Sequence, residues 1–192
     1  MAQMNEDNRR ELLQDVLELI ASLIRTIHVR RALRHVCPEP QLNFWRVICG
    51  DLTDFAVLEW CKLFGSDDEQ HQTIHWKNVV PDIETFRQEL FAHLHLSPEE
   101  FNAYWLEMKR YRDWGVAHHD RRRKAIPRYP HFDVALESAY FYFDFVLSEL
   151  NEQGIELGPR DIRDYAARFF EQARAIAAVA MDATKSTPER VF

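Results

Sequence analysis

Between Leu12 and Ile27, eight apolar residues (Leu12, Leu13, Val16, Leu19, Ile20, Leu23, Ile24 and Ile27) recur at intervals of one or three positions that fit a helix. On a helix they form one stripe, whereas on a strand they would fall on both faces, so 11–27 reads as an amphipathic helix. The same period returns along the chain. Residues 42–63 carry Trp45, Ile48, Leu52, Phe55, Ala56 and Leu63, with Gly65 as the stop signal. Pro81 and Asp82 open a third run through Phe86, Leu90, Leu94 and Leu96. Ser97-Pro98-Glu99-Glu100 is a capping box with proline at the first helical position, and starts a fourth run through Phe101, Tyr104, Trp105, Met108 and Tyr111. A fifth helix over 132–153 is apolar nearly all round, which makes it central or shared with a partner. Gly158-Pro159 opens the last, whose face is Ile162, Tyr165, Ala166, Phe169, Ala173, Ile176 and Ala180. No stretch alternates with strand period and no internal repeat is present. The expected fold is all-α, an antiparallel bundle of five to six helices forming one domain over 1–192.

Net charge is −7, which argues against nonspecific attraction to nucleic acid, but the distribution is uneven. From Lys109 to Arg128 eight basic residues face two acidic ones, so that window is +6 and the rest of the chain −13. Three cysteines (Cys37, Cys49, Cys61) without a CxxC pair read as reduced small hydrophobes of a cytoplasmic protein. The polar N-terminus lacks a signal-peptide core, and no 18-residue apolar run is present to span a membrane.

The chemistry-bearing stretch is YRDWGVAHHD, over 111–120. It places Arg112 six residues before His118, with His119 and Asp120 behind and the basic run Arg121, Arg122, Arg123 and Lys124 following. Arginine followed by histidine also occurs at Arg30–His35 and Arg87–His93. On an unbroken helix side chains five or six apart diverge, so Arg87 and His93 should stay apart. Arg112 and His118 span Gly115, which can bend or end a helix and let them converge. Arg30 and His35 belong to the basic tail RTIHVRRALRH, which Pro38 and Pro40 stop, and could line the same pocket.

YRDWGVAHHD resembles the signature of HEPN domains, the "higher eukaryotes and prokaryotes nucleotide-binding" helical bundles. NFWRVICGDLTDFAVLEWCKLFG, TIHWKNVVP and YWLEMKRYRD are similar to HEPN proteins of the phage abortive-infection type. The resemblance covers about 42–120. It implies a homodimeric bundle with two motifs in one cleft, acting as a metal-independent endoribonuclease of a toxin–antitoxin or phage-defence system. Its partners would be RNA and an antitoxin protein, with no membrane and no cofactor. Carried onto this chain, Arg112 becomes the phosphate clamp and His118 the general acid/base. Asp113 takes the polar position after the arginine, where the family often has asparagine, and brings a negative charge toward the phosphate. Asp120 stands where some toxin members carry a modifiable tyrosine, so that mode of regulation is not supported.

The residue types suit the reaction. Metal-free RNA cleavage needs a base for the 2′-OH proton and an acid for the leaving 5′-oxygen, and histidine can serve as either near neutral pH. A guanidinium fork fits the charge developing on phosphorus. One histidine cannot easily do both in one turnover, so a second copy or His119 would supply the other group. Asp113 and His119 are the auxiliary candidates, and Arg110 and the 121–124 run are the RNA-phosphate contacts. Two other readings compete. In a non-catalytic module binding a nucleotide or partner protein, Arg112 would pair with Asp113 or another carboxylate and His118 would be packed away. In a metal-dependent hydrolase three histidine or acidic side chains would converge, although no HExxH is present.

Overall fold

The computed structural model describes residues 6–65, 73–117 and 129–188; the side chains of Trp114, Val116 and Ala117 are not among those described. Seven α-helices are present among the described residues: α1 (Glu6–Val36), α2 (Asn43–Phe64), α3 (Trp76–Val79), α4 (Ile83–Leu94), α5 (Pro98–Tyr111), α6 (Asp133–Glu152) and α7 (Ile162–Thr184). A π-helical segment, Arg112–Ala117, continues α5. The all-α bundle is as expected. The extra helix is α3, a single turn inside the stretch read as a polar connector, capped by the His75 ring accepting from Lys77 N–H.

The apolar stripe of α1 is the spine of the core. Leu13, Val16, Ile20, Leu23, Ile24 and Ile27 are fully buried, each contributing about 1.5–3 kcal/mol by leaving water. The helix does not end with that stripe. It carries the whole basic tail to Val36, just before Cys37-Pro38, so the arginines expected on a tail are mounted on a rigid rod. Arg9 grips Glu149 through two 2.7 Å bonds, and Arg31 meets Asp133 at 2.8 Å, so α1 and α6 run antiparallel. Arg30 bonds Thr53 in the middle of α2 and Leu33 packs by Cys49, nearer its start, which sets α2 antiparallel to α1 as well. α7 returns parallel to α1: His28 meets Phe170 and Leu33 meets Ala177.

The aromatic stripe of α6 is covered within the chain. Tyr142 and Phe143 are buried, Tyr142 edge-on to Phe64 of α2, and Phe86 of α4 lies edge-on to Phe141, Tyr142 and Phe145 at 5.0–5.7 Å. Trp60 is fully buried with its Nε1 donating to Ser138 Oγ, and Trp76 stacks on Phe86, so both tryptophans are packing groups. Cys49 and Cys61 are buried free thiols.

Helix ends follow local chemistry. The Ser97 capping box forms in full, with Pro98 opening α5. Asp82 is the N-cap of α4 rather than a first-turn residue, and Asp161, not Gly158-Pro159, caps α7. Gly65 closes α2 with an ordinary φ; what requires glycine is space, since a Cβ there would lie 2.7 Å from Cys61 Cα. On α7 the buried line runs through Ile162, Ala166 and Ala177, leaving Ile176 62% exposed instead of on the packed face.

Candidate phosphate-binding site

Two features bear on function, and they meet on α2. The first is the start of the sequence motif. α5 is a regular helix to Tyr111, where the winding widens into the π-helical turn RDWGVA. Gly115 therefore does not end the helix among the described residues; it lies within the wider turn. Such turns are rare and frequently mark functional positions. The turn packs on α2, where the Arg112 side chain lies against the buried Cys61, whose thiol burial pushes up to about 12.

Arg112 is about a quarter exposed and pairs with its neighbour: Nε and Nη2 both reach Asp113 Oδ1 at 2.7 Å. This is the pairing expected of a binding module, and it places a carboxylate on the guanidinium edge that a phosphate would use. Arg110 is exposed in the last turn of α5. His118, His119, Arg121, Arg122, Arg123 and Lys124 lie outside the described residues. Arg87 and His93 stay apart as expected, Arg87 pairing with Glu84 and His93 with Glu137.

The second feature is a cavity of about 910 Å³ between the C-terminal half of α1, the start of α6 and the middle of α7. Arg30, Arg31, Arg34, His28, His35 and His131 line it, with Tyr129, Phe132 and Phe170 as its aromatic walls. Three guanidinium groups share one carboxylate, Asp133, which pairs with Arg31 from an exposed position. Arg30 donates to Thr53 Oγ1 at 2.6 Å and lies over the Phe132 ring, without a carboxylate among the described residues. Burial, and then the like charge of Arg34, lower its affinity for its proton. Arg34 has no ion pair among the described residues.

A side chain at its wall also carries a buried ring nitrogen without a partner among the described residues. His28 is nine-tenths buried, and burial followed by the neighbouring Arg31 lowers its pKa to about 4, so the ring is neutral. Its Nε2 lies 3.0 Å from the Tyr140 hydroxyl, which burial keeps protonated. Assigned from that contact, Tyr140 donates to Nε2 and the ring proton sits on Nδ1, which has no acceptor among the described residues. The N-terminus of α6 opens at the same wall, and its N-cap Phe132 supplies no side-chain cap. A helix start with free N–H groups favours an anion.

Tyr111 joins the two features. Its hydroxyl donates to Asp54 at 2.6 Å, one residue from the Thr53 that holds Arg30, and its ring lies 6.1 Å from that of Tyr129 at the cavity wall. The cavity was partly visible in sequence. The basic tail RTIHVRRALRH contains His28, Arg30, Arg31, Arg34 and His35, whereas Tyr129, His131 and Phe170 carry no sequence signal that assigns them to the cavity. Extending the helical period of α1 past Ile27 puts residues 28, 31 and 35 on one face, and that was the available signal.

Among the described residues no group of three His, Cys, Asp or Glu side chains could hold a metal ion, and no helix is long and apolar enough to cross a membrane. No family model matches the sequence, no curated protein matches it, and no solved structure matches its fold.

Proposed function

We propose that this protein is a metal-independent endoribonuclease of HEPN type. Arg112 binds the scissile phosphate and His118 transfers the proton. The observation that carries the reading is the position of Arg112. It opens a π-helical turn braced on α2, remains partly exposed, and stands on the segment that leads directly into His118 and the basic run. Arg110, Arg121, Arg122, Arg123 and Lys124 contact RNA phosphates. Since each chain brings one such histidine, two copies form a homodimer and supply acid and base together. The setting is cytoplasmic, in keeping with three free cysteines, and belongs to toxin–antitoxin or phage defence with an antitoxin protein as partner.

The Arg112–Asp113 pair favours a second reading, a non-catalytic module that binds a nucleotide or a partner protein. RNA cleavage by purified protein in excess EDTA separates the two. Cleavage with 2′,3′-cyclic phosphate ends, lost in both His118→Ala and Arg112→Ala, supports the nuclease. Cleavage indifferent to both substitutions, or none against a broad RNA pool, refutes it in favour of the module.

A further inference from the structure

We infer that α7 carries a self-docking surface of its own, on which the α7 of another copy of this chain packs antiparallel about a two-fold axis. The Arg112 turn packs on α2 while α7 packs on α1, so this interface is separate from any cleft joining two Arg112 segments and independent of RNA cleavage. Exposure is the first argument. Ile176 and Val179, 62% and 73% exposed, are the most exposed large apolar side chains among the described residues. They belong to a line. Tyr165, Phe169, Gln172, Ile176, Val179 and Ala183 follow one another at alternating steps of four and three, the spacing that keeps one seam toward a partner helix. Tyr165 and Phe169 stack at 6.1 Å and are partly buried, so the seam starts at the rim of the core and runs out into solvent. It lies roughly 140–160° around α7 from Ala167 and Phe170, and so faces away from the arginine-lined cavity.

Complementarity identifies the occupant. In an antiparallel pair Tyr165 meets the second copy's Ala183, Phe169 meets its Val179, and Gln172 meets its Ile176, so each ring opposes a smaller side chain. On the outer flank the same register sets Arg168 against the second copy's Asp182, twice by symmetry, with Ala175 against Ala175 at the axis. Within one chain Arg168 bonds only Asp164, on the exposed surface, and Asp182 has no ion pair among the described residues. Alanines at 166, 173, 175 and 180 flank the seam and let two helices approach closely. A parallel pair in register would set Arg168 opposite Ala173 and give Asp182 no partner on the helix, so charge selects the antiparallel copy.

Light scattering of the full chain over a micromolar to millimolar series tests this, with circular dichroism to confirm that each variant is folded. The parent should associate. Val179→Glu, at an exposed position, would bury a charge in the seam and should weaken that association about tenfold or more. Arg174→Ala, on the opposite side of α7, should associate as the parent does. Arg168→Asp and Asp182→Arg should each weaken association, and the double variant should recover most of it, which loss of the Arg168–Asp164 pair cannot produce. Association unaffected by Val179→Glu overturns the surface. A double variant no better than the single ones overturns the antiparallel copy. A parent that stays monomeric throughout the series overturns self-docking and leaves the seam to a helix of another protein.

Discussion

His28 provides a quantitative test of how the cavity wall is built. Its folded-state pKa of about 4 lies below the ordinary 6.5, so the unfolded chain takes up a proton that the folded chain refuses. The stability this residue permits is present above pH 6.5 and is lost as the pH falls toward about 4. At about 1.4 kcal/mol per pH unit that displacement corresponds to about 3 kcal/mol. Water entering through the cavity mouth reduces the loss to roughly 2–3 kcal/mol. His28→Gln keeps a polar partner for the Tyr140 hydroxyl and removes the titration. Urea unfolding of both proteins at several values from pH 7.5 to 4 should show the parent losing about 2–3 kcal/mol more than the variant. Parallel stability curves would refute the picture of a neutral, enclosed imidazole.

Three further outcomes are expected. Glu59 is 1% exposed and faces Ser22 and Thr26; burial raises its pKa, so stability present below the ordinary carboxylate range is lost as pH rises through the folded value. Glu59→Gln should therefore be more stable than the parent by about 1 kcal/mol at pH 8, with the gain vanishing near pH 4 in thermal melts. Gly65→Ala should cost about 1–3 kcal/mol by denaturant titration, because the new methyl meets the Cys61 backbone at 2.7 Å. Asp113→Asn frees the Arg112 guanidinium from a partly exposed ion pair worth about 1 kcal/mol or less, so RNA cleavage in EDTA should rise several-fold. An unchanged rate would show that the pair does not compete with phosphate.

The helices were legible in the sequence because their signals are local. The Ser97 box, the α1 stripe and the α6 helix, apolar nearly all round, each follow from spacing within one segment. The basic tail of α1 stays helical to Val36, as its stop at Pro38 leads one to expect, with Ala32 and Leu33 buried along it. The places where reading and structure differ all depend on neighbours. α3 is one turn long, too short for any period to register. Ile176 fits the face drawn on a helical wheel, but the line of contact with α1 passes through Ala177. The cavity gathers residues from α1 with others from the 129–133 segment and α7, more than 90 positions further along the chain, and only their packing reveals it. Arg112 was readable as a candidate; its grip on Asp113 depends on the backbone winding that brings adjacent side chains to one edge.

That winding has a consequence for how the motif tolerates change in length. A π-helical turn holds one residue more than the α-helical turn it replaces, bonding five positions back rather than four. Removing a single residue from 112–117 can let the segment rewind as ordinary helix without breaking it. Everything beyond the deletion would then keep close to its former direction, since the shorter α-helical segment turns through about the same angle as the longer, wider one. The Arg112 segment is thus a point where a one-residue deletion is absorbed by the winding, whereas the same deletion within α5 would turn everything after it by about 100°.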